Sequence, residues 1–151
     1  MALSDKHRIV KIMKQTLGHT YFATCEADQP VIRSMTPIIE DDMTIWIVTF
    51  SNSRKIKQIK KNPKICLLFT EQPNGNKTAL VMGKAKIIND LKTKKYVWKI
   101  AHYDPSSFFP KGPELPPFCV LKIIPTKIEW WDSWKQGRKT YKPVLPRIKH
   151  R

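Results

Sequence analysis

Seven short apolar runs, rich in β-branched and aromatic residues, follow one another along this chain with little helix between them. They are TYFATCEA from Thr20, VIRSMTPII from Val31, TIWIVTF from Thr44, KICLLFT from Lys64, TALVMGKAKII from Thr78, FCVLKIIP from Phe118 and KIEWWD from Lys127. Runs of this length and composition read as strands, because branched and aromatic side chains fit a pleated, half-buried surface. Turn-forming stretches separate them: Asp28-Gln29-Pro30, the acidic Glu40-Asp41-Asp42, and EQPNGNK from Glu71. The spacing predicts that the first three strands pair as an antiparallel meander. Gly83 inside the fifth run marks a bulge or a close backbone approach.

Helical signals are few. Ser4 caps a first helix with Ile9, Ile12, Met13 and Leu17 on its apolar stripe, and Gly18 ends it. A short helix follows Phe50, with only Ile56 and Ile59 to bury, and Asn62-Pro63 stops it. Asp90 caps another that carries Leu91, Tyr96, Val97, Trp98, Ile100 and Ala101. From Tyr103 to Pro117 five prolines keep the chain in loop. No repeat or linker is visible, and 151 residues suit one domain. The expectation is a mainly β fold of α+β character: a six- to seven-stranded antiparallel barrel over residues 1–132, with short flanking helices. Residues 133–151 form a basic tail, with Pro143 and Pro146, that orders only against a partner.

Charge narrows the choice of partner. The chain holds 28 basic and 12 acidic residues, a formal net charge of +16. Such a balance favours anionic partners and says nothing about fold. Cys25, Cys66 and Cys119 lie far apart in apolar runs, as buried free thiols of a reducing compartment do. The N-terminus MALSDKHRIVKIMKQTLG has no apolar signal core, and no run approaches membrane-spanning length. The reading is a soluble, cytoplasmic protein with no membrane partner. His7, His19, His102 and His150 are scattered without metal-ligand spacing, so no metal site is assigned. His102, beside Tyr103, reads as an exposed histidine at a helix end rather than as the lining of a substrate pocket.

The sharpest local signal is TFSNSRKIKQIKKNP, Thr49 to Pro63. A strand ends, a polar turn follows, and five cations crowd into a short helix. A helix N-terminus already presents unpaired N–H groups and the positive end of a dipole, so cations there are unfavourable unless an anion is expected. Thr49 and Ser53 offer hydroxyls, the first turn offers amides, and Arg54 and Lys55 offer charge: the parts an oxyanion needs. Arg33, the only charged residue of VIRSMTPII, comes near the same turn if its strand pairs with the next. Lys57, Lys60 and Lys61 read as a solvated face.

These residues carry a resemblance. RSMTP at Arg33 to Pro37 and IWIVTFSNSRKIKQIKKNPKICLLF at Ile45 to Phe69 resemble the pyridoxamine 5′-phosphate oxidase-related flavoproteins, most nearly their general stress protein branch. GKAKIIND and FFPKGPELPPFCVLKIIPTKIEWWD agree, in the right order, from about Tyr21 to Asp132. The resemblance implies a split barrel that binds FMN at a homodimer interface and works as an oxidoreductase. It implies that Arg33, Ser34, Met35 and Thr36 run along the flavin ring, with Arg33 also reaching towards phosphate. Val48 and Thr49 then lie beside the ring and ribityl chain. Ser53, Arg54 and Lys55 hold the phosphate, and Trp131 is contributed by the other subunit. The chain is short for a pyridoxamine phosphate oxidase, and its tail WKQGRKTYKPVLPR matches that enzyme's substrate-binding end only loosely. The substrate and the catalytic residues therefore stay unassigned.

Plainer roles stand beside these. Met35 and Val48 also suit a core. Trp46 shares a face with Val48 and reads as barrel packing. One of Trp130 and Trp131 must face inward, because neighbours on a strand alternate, and Trp134 rivals Trp131 for the partner's site. Two other functions fit the chain as a whole. One is a basic nucleic-acid-binding barrel without flavin. The other is the same barrel with haem or a deazaflavin as its ligand.

Overall fold

The computed structural model describes residues 3–144. Helix α1, Asp5–Gln15, begins at Ser4, whose Oγ accepts from the His7 amide at 3.2 Å. Strands β1, Thr20–Glu26, and β2, Gln29–Ser34, form a hairpin. After them come β3, Ile38–Ile39, and β4, Ile45–Phe50, then helix α2, Arg54–Lys61. Strands β5, Lys64–Thr70, and β6, Thr78–Ile88, lead to helix α3, Leu91–Ile100. Strand β7, Phe118–Trp131, and the short β8, Lys139–Tyr141, complete the order. Asp90 caps α3 by accepting from the Thr93 amide at 2.9 Å.

All pairings are antiparallel, in the order β2-β1-β5-β6-β7-β4-β3, with β8 on β7. The sheet curls without closing. VIRSMTPII is therefore not one strand of a meander. Its first half pairs with β1 and its second half with β4, at opposite ends of the sheet. The bridge between them is Met35-Thr36-Pro37, and Pro37 has no amide with which to continue a ladder. The expected pairing of the second and third runs survives only at Ile38 and Ile39.

The last two apolar runs are one 14-residue strand. Pro125 is tolerated because the β6·β7 register shifts there: Met82 faces Lys127, while Gly83 faces Pro125. Thr126 is the extra residue, and its hydroxyl donates to the Met82 carbonyl at 3.1 Å. The chain past residue 132 continues against the sheet. Trp134–Gln136 form a 3₁₀ turn and Lys139–Tyr141 pair with Ile128–Trp130, so this part of the basic tail is ordered on its own chain. Pro146 lies outside the described residues, while Pro143 has no regular structure.

Two apolar clusters hold the sheet. Inside the curl, Ile9 and Met13 of α1 pack with Phe22, Ile47, Leu67 and Trp130. Outside it, Val97 of α3 packs with Trp46, Phe109, Phe118 and Val120. Trp46 belongs to this outer cluster and not to the barrel interior, because Ile45, Ile47 and Thr49 take the inward positions of β4. Its indole N–H donates to Glu40 at 2.8 Å. Trp130 is fully buried, with the Arg8 and Lys139 cations over its ring at 5.4 and 4.8 Å. No helix among the described residues is long and apolar enough to cross a membrane.

Candidate functional site

The site forms where β4 runs out. The Ser51 amide donates to the Pro117 carbonyl at 2.9 Å, and the Ser53 amide to the Phe50 carbonyl at 3.0 Å. These bonds turn the chain from strand into α2. Ser53 stands at the N-cap, but its side chain does not cap the helix; its Oγ accepts from Thr49 Oγ1 at 3.3 Å. The first turn of α2 has no acidic residue. Lys55, half-buried, donates through Nζ to the buried Thr49 hydroxyl at 2.7 Å.

Lys55 joins none of the ion pairs among the described residues. Burial, and then the Arg33 charge, hold its ammonium below the ordinary lysine value. Arg33 is itself lowered, by burial and by Arg54. Three cations thus act on one another, and their one paired carboxylate, Glu26, is bound to Arg54. Such a grouping is unfavourable without an anion.

Met35, Thr36, Val48, Thr49, Phe50, Lys55, His102, Tyr103, Phe108 and Phe109 line a cavity of about 460 Å³. The bridge between the sheet ends supplies Met35 and Thr36. The loop after α3 supplies an aromatic wall, ordered by edge contacts from His102 to Tyr103 and from Tyr103 to Phe108, at 5.2 and 6.3 Å between ring centroids. Phe109 anchors that wall against Phe50 and Phe118, at 4.7 and 5.1 Å. Burial pushes the Tyr103 phenol up, so it stays a neutral donor. The cavity is apolar over most of its wall; its polar lining is Lys55, the hydroxyls of Thr36, Thr49 and Tyr103, and the His102 imidazole. Its volume is in the range of small-molecule sites.

Five of the ten residues singled out from the sequence meet here: Met35, Thr36, Val48, Thr49 and Lys55. Ser53 is one hydrogen bond away, through Thr49. Arg33 is turned to Thr24 and Gln58, at 2.8 and 3.1 Å, and lies over the Phe22 ring. Ser34 pairs with Tyr21 on the sheet. Arg54 is exposed on Glu26, on another side of α2. Trp131 donates its indole N–H to the Gly75 carbonyl at 2.9 Å, beside Trp134. His102 is exposed, as read, yet also stands at the cavity rim. Sequence reading missed Phe50, Tyr103, Phe108 and Phe109; the aromatic density of YDPSSFFP was the available signal.

A pH experiment tests the electrostatics of Lys55. Its folded-state value lies below its unfolded value, so the unfolded chain binds more protons between the two. Stability of the ligand-free protein should therefore rise with pH through that window, which ends near 10.5. The melting temperature of wild type should gain on that of Lys55→Met as pH rises through the window; parallel curves would remove the buried-cation account.

An open, curled antiparallel sheet plugged by α1, with a cavity between its two ends, defines a split-barrel protein. Residues 14–132 match the family model for pyridoxamine 5′-phosphate oxidase, and the chain belongs to that family. It is 30% identical over 122 residues to General stress protein 26 of Bacillus subtilis, covering 78% of this chain and 80% of that one. The crystal structure of General Stress Protein 26 from Bacillus anthracis superimposes with a TM-score of 0.69 at 21% identity, covering 90% of this chain and 99% of that one. A heme binding protein from Mycobacterium smegmatis shares the fold, with a TM-score of 0.70 at 9% identity, covering 94% of this chain and 60% of that one.

Proposed function

We propose that this chain is an FMN-binding flavoprotein, an oxidoreductase for a small substrate. One observation carries the reading. Lys55 is a half-buried cation without a carboxylate, hydrogen-bonded to Thr49 at 2.7 Å, on the wall of a mostly apolar cavity. The residues fit such a ligand. Lys55, Thr49, Ser53 and the first amides of α2 would hold its phosphate. Met35 and Val48 would flank its ring, with Thr36 as a polar neighbour. Arg33 and Arg54 lie outside the cavity wall and add long-range positive potential. Bound flavin would supply the electron and hydride chemistry, while the protein orients it and excludes water.

In the same reading two chains meet as a homodimer at the cavity mouth. Phe50 and Phe108, 42% and 59% exposed, are the surfaces a second copy would cover. Trp131 serves the partner's site, since it stands away from its own chain's cavity.

The visible absorbance of the purified protein tests this, with released ligand identified by mass. A flavin spectrum and the mass of FMN are expected; a colourless protein that takes up no added FMN would overturn the proposal. A second reading changes only the ligand. His102 puts an imidazole at the cavity rim, which could ligate a haem iron. A sharp haem band in the same spectrum would favour it.

A further inference from the structure

Helix α2 serves two faces. Lys55 turns to the cavity, while Arg54, Lys57, Gln58 and Lys61, at i, i+3, i+4 and i+7, line a separate hollow of about 530 Å³ beside Cys25, Glu26 and Asn62. The basic character continues past the helix. Lys64 on β5 stands directly opposite Lys84 on β6, and both are exposed. Like charges directly opposite one another destabilise a sheet. Lys57, Lys60, Lys61, Lys64 and Lys84 form no ion pair among the described residues. The carboxylate lining the hollow, Glu26, is engaged by Arg54. Gln58 adds a further unmet need: its Oε1 accepts from Thr24 and Arg33, but its buried Nε2 has no acceptor.

A solvated face would suffice for lysines spread along one helix. It does not account for two lysines set opposite each other in adjacent strands, in line with a hollow that already collects three cations. We propose that this stripe, Lys57-Lys61-Lys64-Lys84, docks the phosphate backbone of nucleic acid, independently of the flavin cavity. Of the large exposed apolar residues, Ile32 lies on the same outer sheet face, one cross-strand row from Lys64 and Lys84, while the exposed aromatics Phe50, Tyr96, Phe108 and Trp134 belong to other elements. The stripe therefore lacks the aromatics that stack on bases, and one aliphatic neighbour is far from the apolar face that membrane insertion uses. Backbone contacts of this kind carry no sequence preference and are strongly salt-dependent.

The test is fluorescence anisotropy with a short labelled DNA duplex and the full-length protein, from about 50 to 200 mM salt. Two variants are compared, each with four positive charges removed. One changes Lys57, Lys61, Lys64 and Lys84 to Gln. The control changes Lys6, Lys11, Lys111 and Lys135, exposed lysines elsewhere. Wild type should bind with a log–log salt slope of about −4. The stripe variant should bind at least about tenfold more weakly at low salt and lose roughly 3 to 4 from the slope, with the control nearly unchanged. Equal losses in both variants would reduce the effect to net charge and overturn the proposal. So would absent or salt-independent binding, or binding to phosphatidylserine vesicles that matches the duplex and needs the same four lysines. The stripe variant should also melt no lower than wild type, because Lys64 no longer opposes Lys84. A lower melting temperature would remove the repulsion from which the stripe is argued.

Discussion

Lys55→Ala should weaken FMN binding by roughly 10- to 100-fold, while Lys60→Ala changes it less than about twofold. The magnitude is that of one hydrogen bond to a charged group, about 1.5 to 3 kcal/mol. The contrast comes from geometry. Both lysines belong to α2, but Lys55 is half-buried on Thr49 on the cavity wall, and Lys60 is exposed. In the proposed flavin complex, removing Lys55 would leave Thr49 and the helix amides to hold the phosphate alone. Removing Lys60 takes away only screened, long-range potential. Lys55→Arg should recover part of the loss, because it restores charge without the same reach. Fluorescence quenching of FMN, titrated against each purified variant, gives the dissociation constants. Equal weakening by both alanine variants would make the turn a generic charged surface and end the cradle interpretation.

Gly83→Ala should destabilise the fold by about 3 kcal/mol, at the upper end for overpacking, and lower the melting temperature by roughly 10 °C. A Cβ at this position would stand 2.1 Å from the Ile124 carbonyl oxygen and 3.0 Å from the Pro125 Cα. Both obstacles are backbone atoms, so no rotamer change relieves them. They also lie at the register shift that lets Pro125 sit inside β7. The matching control is Gly18→Ala, where nothing lies within 4 Å of the added carbon. That variant should match wild type or gain up to about 1 kcal/mol from a stiffer unfolded chain. Thermal melts followed by circular dichroism decide the matter. Equal melting temperatures for the two variants would mean that β6 and β7 can separate at the bulge without cost.

Much of this architecture was legible in the chain itself. Alternation along TIWIVTF set Trp46 and Val48 on one face and Ile45, Ile47 and Thr49 on the other, since side chains on a strand point to opposite sides, but which face turns inward was decided by packing. Ser4 and Asp90 announced two helix starts through a local bond that needs no tertiary support. Gly83 marked the close approach because a lone glycine in a strand has few other uses. The cationic turn after Phe50 was visible for the same reason: charge at a helix start is costly without an anion.

Other features depend on residues far apart in sequence. VIRSMTPII has the pattern of one strand, and nothing local says that its halves belong to opposite ends of the sheet. Only that crossing brings Met35 and Thr36 to the cavity. Arg54 and Lys55 are adjacent, and composition makes them equivalent. The fold separates them: one helical step, about 100°, turns Arg54 to Glu26 from the β1–β2 hairpin and Lys55 to Thr49 at the end of β4. Arg33 is diverted in the same way, by Thr24 and Gln58. Local pattern determined the strands, the caps and the presence of a cationic turn, because those follow from steric and hydrogen-bonding rules spanning a few residues. Which cation stays free for a ligand was decided by tertiary structure alone, because a charge is neutralised by whichever partner the fold carries to within a few ångströms.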